Sequence, residues 1–132
     1  VTAVRRATRD DAPVIGQLLH DFNVEYDEPT PAPAEMAERM AELMDGGDEI
    51  IVLLTDGPEG PDGLAVLRLR PGIWSRALEC YLAELYVIPA RRRQGQGLAL
   101  MEAAMSAARA AGADHMDLDE LFHGLLVRCS RR

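Results

Sequence analysis

The stretch Leu85-Tyr86-Val87-Ile88-Pro89-Ala90-Arg91-Arg92-Arg93-Gln94-Gly95-Gln96-Gly97-Leu98 constrains this chain more than any other part of it. An apolar strand end runs into a proline, three consecutive arginines and two glycines one residue apart, and an apolar-periodic helix follows at once. Such a junction brings successive backbone N–H groups together at the positive end of a helix dipole, where a phosphate binds. Gly95 and Gly97 let the backbone turn sharply and approach an anion with no Cβ in the way, and the guanidinium groups add charge-assisted contacts. An ordinary strand–helix turn with solvated arginines is the competing reading; the arginine run and the immediate helix start favour the phosphate cradle.

The elements around this junction follow from hydrophobic period and breakers. Val1–Ala7 reads as a short strand, and Thr8 with Asp11 three places on reads as a capping box. A helix then runs to Phe22 or Tyr26, with Ile15, Leu19 and Phe22 as its buried stripe, Val14 and Leu18 beside it, and Pro13 in its first turn. Alternating prolines at Pro29, Pro31 and Pro33 end it. A second helix, Ala34–Met44, presents Met36, Met40, Leu43 and Met44 on one face, and Gly46-Gly47 stops it. Glu49–Thr55 and Gly63–Arg70 read as a hairpin with an irregular loop over Asp56–Asp62, and Ala77–Val87 as a third, longer strand of the same meander. After the arginines a helix from about Gly97 to Ala111 carries Leu98, Met101, Met105 and Ala108, and Gly112 ends it. His115–Asp119 reads as a last strand, parallel to the long one because a helix separates them. The expected order is β-α-α-β-β-β-α-β in one α/β (α+β) domain.

Composition narrows the function classes. The 132 residues suffice for one domain, 1–132, and 48% apolar with 27% charged residues is ordinary for a globular fold. Fourteen basic against 22 acidic residues give a net charge of −8, the wrong sign for a general nucleic-acid or anionic-membrane binder. All the basic residues are arginine; without lysine there is no Schiff-base chemistry, Walker lysine or Ser-Lys hydrolase. Apolar runs such as Ile50–Leu54 are too short to span a membrane, and the first residues do not resemble a signal peptide, so a soluble, cytoplasmic protein is expected. Cys80 and Cys129 form no CxxC pair and read as free thiols. His20, His115 and His123 lack ligand spacing, so no metal is assigned.

Arg92-Arg93-Gln94-Gly95-Gln96-Gly97, with Val87 and Pro89 upstream, resembles the Arg/Gln-x-x-Gly-x-Gly/Ala signature of the GNAT superfamily of acyl-CoA-dependent N-acetyltransferases. The resemblance covers roughly residues 1–119, including the helix pair before the meander. It implies a GNAT-like mixed sheet, acetyl-CoA as cosubstrate, and transfer of an acetyl group to a primary amine by direct attack, with no covalent enzyme intermediate. The amides of Arg92, Arg93, Gln94, Gly95, Gln96, Gly97 and Leu98 would hold the diphosphate of coenzyme A. The strand-end backbone of Leu85, Tyr86 and Val87 would pair with the pantetheine arm and polarise the thioester carbonyl. It also places the acidic group Asp21, Glu25, Asp27 and Glu28 beside the acceptor site, where negative charge draws in a cationic amine; a solvated acidic face is the simpler reading. A typical member continues with a helix bearing a tyrosine, often the general acid, and a β-hairpin. Here no tyrosine follows Tyr86, so the expected fold lacks that helix and hairpin, and residues 120–132 form an atypical tail. The open edge of the last strand is then covered by the tail or by a second subunit, which makes a homodimer the expected assembly.

The reaction needs a base for the ammonium and an acid for the departing thiolate. Glu84 is the candidate base. In a regular strand it shares a face with Leu78, Cys80, Leu82 and Tyr86, and such apolar company raises a carboxylate's pKa; a strand-end Glu paired with Arg or water is the other reading. Tyr86, and more weakly Tyr81, are candidate proton donors, whereas Cys80 reads as a packed thiol. Two rivals differ in class. A dinucleotide-binding fold would use Gly95, Gly97 and Asp117, but Leu100 holds the third glycine position and the meander contradicts a doubly wound sheet. A non-catalytic acyl-CoA-binding or interaction module derived from a transferase would explain the atypical tail.

Overall fold

The computed structural model describes residues 2–47 and 49–118. The elements are β1 (Val4–Arg6), α1 (Ala12–Glu25), α2 (Pro33–Asp45), β2 (Ile50–Gly57), β3 (Gly60–Pro71), β4 (Leu78–Val87), α3 (Gln96–Ala110) and β5 (Ala113–Leu118), in the expected order. The strands form one sheet in the order β1-β2-β3-β4-β5. Every pair is antiparallel except β4 with β5, which run parallel because α3 connects them. This is the mixed α/β class read from the sequence. The tail's conformation, its cover of the β5 edge, Cys129 and His123 lie outside the described residues.

Helices cover both faces of the sheet. Ile50, Val52 and Leu54 of β2 pack with Ile15, Leu19 and Met40 of α1 and α2. Ile51 and Leu53 face the other way and pack with Leu100, Met101 and Ala104 of α3. Because each face has a helix to bury against, β2 reads as a continuous apolar run instead of an alternation. Leu54, Leu64, Leu67 and Leu82 are fully buried, and each such side chain contributes about 1.5–3 kcal/mol relative to exposure.

Two local readings are corrected. The loop expected over Asp56–Asp62 is mostly strand: Asp56 pairs with Pro61 and Gly57 with Gly60, leaving Pro58 and Glu59 at the turn. The irregularity resides in a register shift between Thr55 and Asp56. The second correction affects the site. Strand β4 is not regular, because Val66 pairs with Glu84 but the next residue, Leu67, pairs with Leu82, so Ala83 is an extra residue. This bulge reverses the alternation. Cys80 and Leu82 face α3, while Glu84 sits opposite Val66 and thus shares the α1/α2 face with Tyr86, not with Leu78, Cys80 and Leu82.

At its start, α1 is preceded by a 3-10 turn, Arg9–Asp11, where the Asp11 carboxylate accepts the Thr8 N–H at 2.9 Å. Its packing against α2 depends on Gly16: a Cβ there would lie 2.5 Å from Ala37 N and 2.8 Å from Pro33 O, both backbone atoms. The two helix backbones are in contact at that point, and no side-chain rotation can make room. Gly16→Ala is therefore expected to lower stability by about 1–3 kcal/mol, read from the urea midpoint. An unchanged midpoint would mean that the helices are not in backbone contact.

Candidate active site

Helix α3 has Gly95 as its N-cap, in the left-handed region at φ 92°, and its first intrahelical bond runs from Ala99 N–H to Gly95 O at 3.0 Å. The N–H groups of Gln96, Gly97 and Leu98 therefore have no partner within the helix. A Cβ built on Gly95 or on Gly97 would meet nothing within 4 Å. For Gly97 this is informative, since its φ is ordinary and nothing in the packing of the described residues needs a glycine there. The space in front of it suits a group that approaches the backbone from outside, as a diphosphate on these amides would.

A cavity of about 630 Å³ opens beside this helix start. Its floor is the end of β4, Leu85 to Val87; one wall is Phe22, Asn23, Tyr26 and Glu28, and the other includes Arg91 to Arg93, Gln96 and Gly97. Pairing of β4 with β5 is described as far as Leu82 with Leu118, so among the described residues no strand lies on the β5 side of Leu85–Val87.

The three arginines divide the work, which the sequence did not reveal. Arg91 Nε donates to Asp62 Oδ2 at 3.0 Å; the Asp62 side chain is only 3% exposed and also accepts from Thr55 Oγ1 at 2.6 Å. Asp62 further fixes the segment through its carbonyl, which accepts the Ile88 N–H at 2.9 Å. Arg92 donates through Nε to Val87 O at 3.0 Å and through both terminal nitrogens to Glu25, each at 2.7 Å. The guanidinium holds the Glu25 carboxyl below the usual carboxylate range. Arg93, left-handed at φ 65°, lines the cavity and among the described residues has no ion-pair partner.

Tyr86 stands where these groups meet. Phe22 stacks on its ring at 4.9 Å, the Arg92 guanidinium lies 5.6 Å from its centroid, and its hydroxyl donates to Glu25 Oε1 at 3.3 Å. Burial, with the Glu25 charge, pushes its pKa up to about 12. Gln96, 5% exposed, buries its Oε1 with no hydrogen-bond partner among the described residues, an arrangement that costs about 1–3 kcal/mol.

Of the residues expected at the site, Leu85, Tyr86, Val87, Arg92, Arg93, Gln96 and Gly97 line the cavity, with Gly95 and Leu98 at its helix edge. Gln94 is exposed in the loop between Arg93 and Gly95. Glu84 lines a separate cavity of about 180 Å³ with Arg39 and Arg68, and Asn23 borders both spaces. Tyr81 lies toward the other end of β4, opposite Arg68, and is not brought to the large cavity. Cys80 is buried among apolar side chains, its thiol pushed up to about 11 chiefly by burial, which suits a packed thiol. Sequence reasoning missed the aromatic wall of Phe22 and Tyr26; their i, i+4 spacing at the end of α1 was the available signal. Asp62 had no signal, because its role depends on the hairpin's true length.

Residues 15–123 match the family model described as the acetyltransferase (GNAT) family. The chain belongs to the GNAT acetyltransferase family. Similar solved structures agree. One, a protein from Arthrobacter sp. FB24 provisionally described as an acetyltransferase, is 38% identical over 100% of this chain and 85% of its own, with a TM-score of 0.84. An aminoglycoside acetyltransferase from an uncultured soil metagenomic sample, solved with sisomicin, shares the fold at 18% identity over 98% of this chain and 86% of its own, with a TM-score of 0.76. Glucosamine-6-phosphate N-acetyltransferase from Arabidopsis thaliana does so at 14% identity over 98% and 90%, with a TM-score of 0.79. No curated protein sequence matches at a significant level. GNAT family members generally use acetyl-CoA as cosubstrate, which is the group this cavity must be tested against. Among the described residues there is no helix long and apolar enough to cross a membrane and no His/Cys/Asp/Glu group that could hold a metal ion.

The Tyr86 environment makes a prediction of its own. A folded-state pKa raised above the ordinary value near 10 means that the stability contribution is fully present below that value and is lost as pH rises through about 12. An alkaline absorbance titration should show one tyrosine step near pH 12 that is missing in Tyr86→Phe. A wild-type titration complete by pH 11 would contradict the described contacts.

Proposed function

We propose that the protein transfers an acetyl group from acetyl-CoA to a primary amine by direct attack. The observation that carries this reading is the helix start itself: the amides of Gln96, Gly97 and Leu98 precede the first intrahelical bond, and among the described residues a Cβ on Gly97 would touch nothing. The amides of Arg92 to Leu98 hold the diphosphate, supported by the helix dipole, and Arg93 adds a charge-assisted contact. The backbone of Leu85, Tyr86 and Val87 takes the pantetheine arm, and its N–H groups polarise the thioester carbonyl. Acetyl-CoA supplies an acetyl group already activated as a thioester.

Glu84 is proposed as the base that removes the ammonium proton, a role supported by its place on the same face of β4 as Tyr86. Tyr86 keeps its proton throughout the physiological range and is proposed as the donor to the thiolate. Glu28 brings negative charge to the cavity wall, which suits a cationic acceptor. A second copy of the chain on the β5 edge is the proposed assembly, and the cytoplasm the proposed compartment.

Thermal and urea unfolding with and without coenzyme A tests the reading. At a hundred times its dissociation constant the ligand should add about 2.7 kcal/mol. Gly97→Val should fold as the wild type does, because its side chain projects into open space, yet lose that gain; the double variant with Gly95→Val should lose it too. A gain that survives in both would refute the cradle. Full ligand stabilisation with no acetylation of any amine in a broad panel would favour a non-catalytic acyl-CoA-binding module instead.

A further inference from the structure

We infer that Glu25 is a positioning residue that acts through Arg92: its carboxylate competes with the incoming diphosphate for the guanidinium, so the pair straps the mouth of the large cavity until the anion takes Arg92. The inference rests on the proposed coenzyme A site. Glu25 is the last residue of α1 and Arg92 belongs to the loop before α3, so the pair joins the two walls between which the cavity opens.

Arg92 has three of its five N–H donors engaged, on Val87 O and both Glu25 oxygens. It can grip an anion through the two-pronged end of the guanidinium only by releasing Glu25, which holds that end, and the bond from Nε to Val87 O is a pivot about which the guanidinium can turn. The exchange is cheap because the side chains are 37% and 27% exposed, and ion pairs at that depth contribute little net stability. A diphosphate offers more charge and the same two-pronged acceptance. Arg91 provides the contrast. Its partner Asp62 is 3% exposed, and stripping that carboxylate of its cation would leave a buried charge, so this pair stays and holds the loop while the other opens.

The competition has a sign that a merely structural role does not share. Isothermal titration of the full chain with coenzyme A, and separately with inorganic pyrophosphate, should show both ligands binding about two- to fivefold more tightly to Glu25→Gln and Glu25→Ala than to wild type. The gain should vanish when Arg92→Gln is added. Equal or weaker binding to both Glu25 variants would overturn the strap and make Glu25 a simple brace. Binding of neither ligand by the wild type would instead overturn the coenzyme A reading beneath it.

Discussion

Three backbone N–H groups at the start of α3 have no acceptor within the helix, and the rest of the site is arranged around them. Such groups cost free energy if buried dry and are satisfied by water, by a cap or by a ligand. Here Gly95 caps the helix without a side chain and Gly97 leaves the approach open, so an anion can come directly onto the amides. The preceding loop contains one left-handed arginine, and left-handed non-glycine residues persist where their surroundings hold them. Those surroundings are two ion pairs of different depth, Asp62 with Arg91 and Glu25 with Arg92.

The sheet supplies the other half of the geometry. The extra residue Ala83 reverses the facing of β4, so the strand serves two purposes along its length. Its first half packs Cys80 and Leu82 into the core under α3. Its second half turns Glu84 and Tyr86 toward α1 and α2 and presents the backbone of Leu85–Val87 to the cavity. The close backbone contact at Gly16 sets where α1 lies, and with it Phe22, Glu25 and Tyr26.

Much of this was legible from residue order. Element order, the parallel last strand and the glycine-rich helix start follow from period, breakers and motif spacing, which are local signals. The bulge at Ala83 was not legible, because nothing in Leu-Ala-Glu-Leu announces an extra residue; it is set by pairing with β3. The short hairpin was hidden by Gly57, Pro58, Gly60 and Pro61, which read as loop but in which only Pro58 and Glu59 form the turn. Three adjacent arginines look equivalent in sequence, and only tertiary partners separate the anchor on buried Asp62, the exchangeable strap and a cation with no ion-pair partner among the described residues. Glu25 looked like one more solvated acid for the same reason.

The most direct test of the account is residue-resolved amide NMR of the full chain during a coenzyme A titration. The N–H resonances of Gln96, Gly97 and Leu98 should move downfield together and become protected from exchange, as amides do on gaining an anionic acceptor. If coenzyme A binds while these three amides stay unperturbed and the changes fall elsewhere in the sheet, the helix start is not the phosphate site and the proposed chemistry loses its foundation.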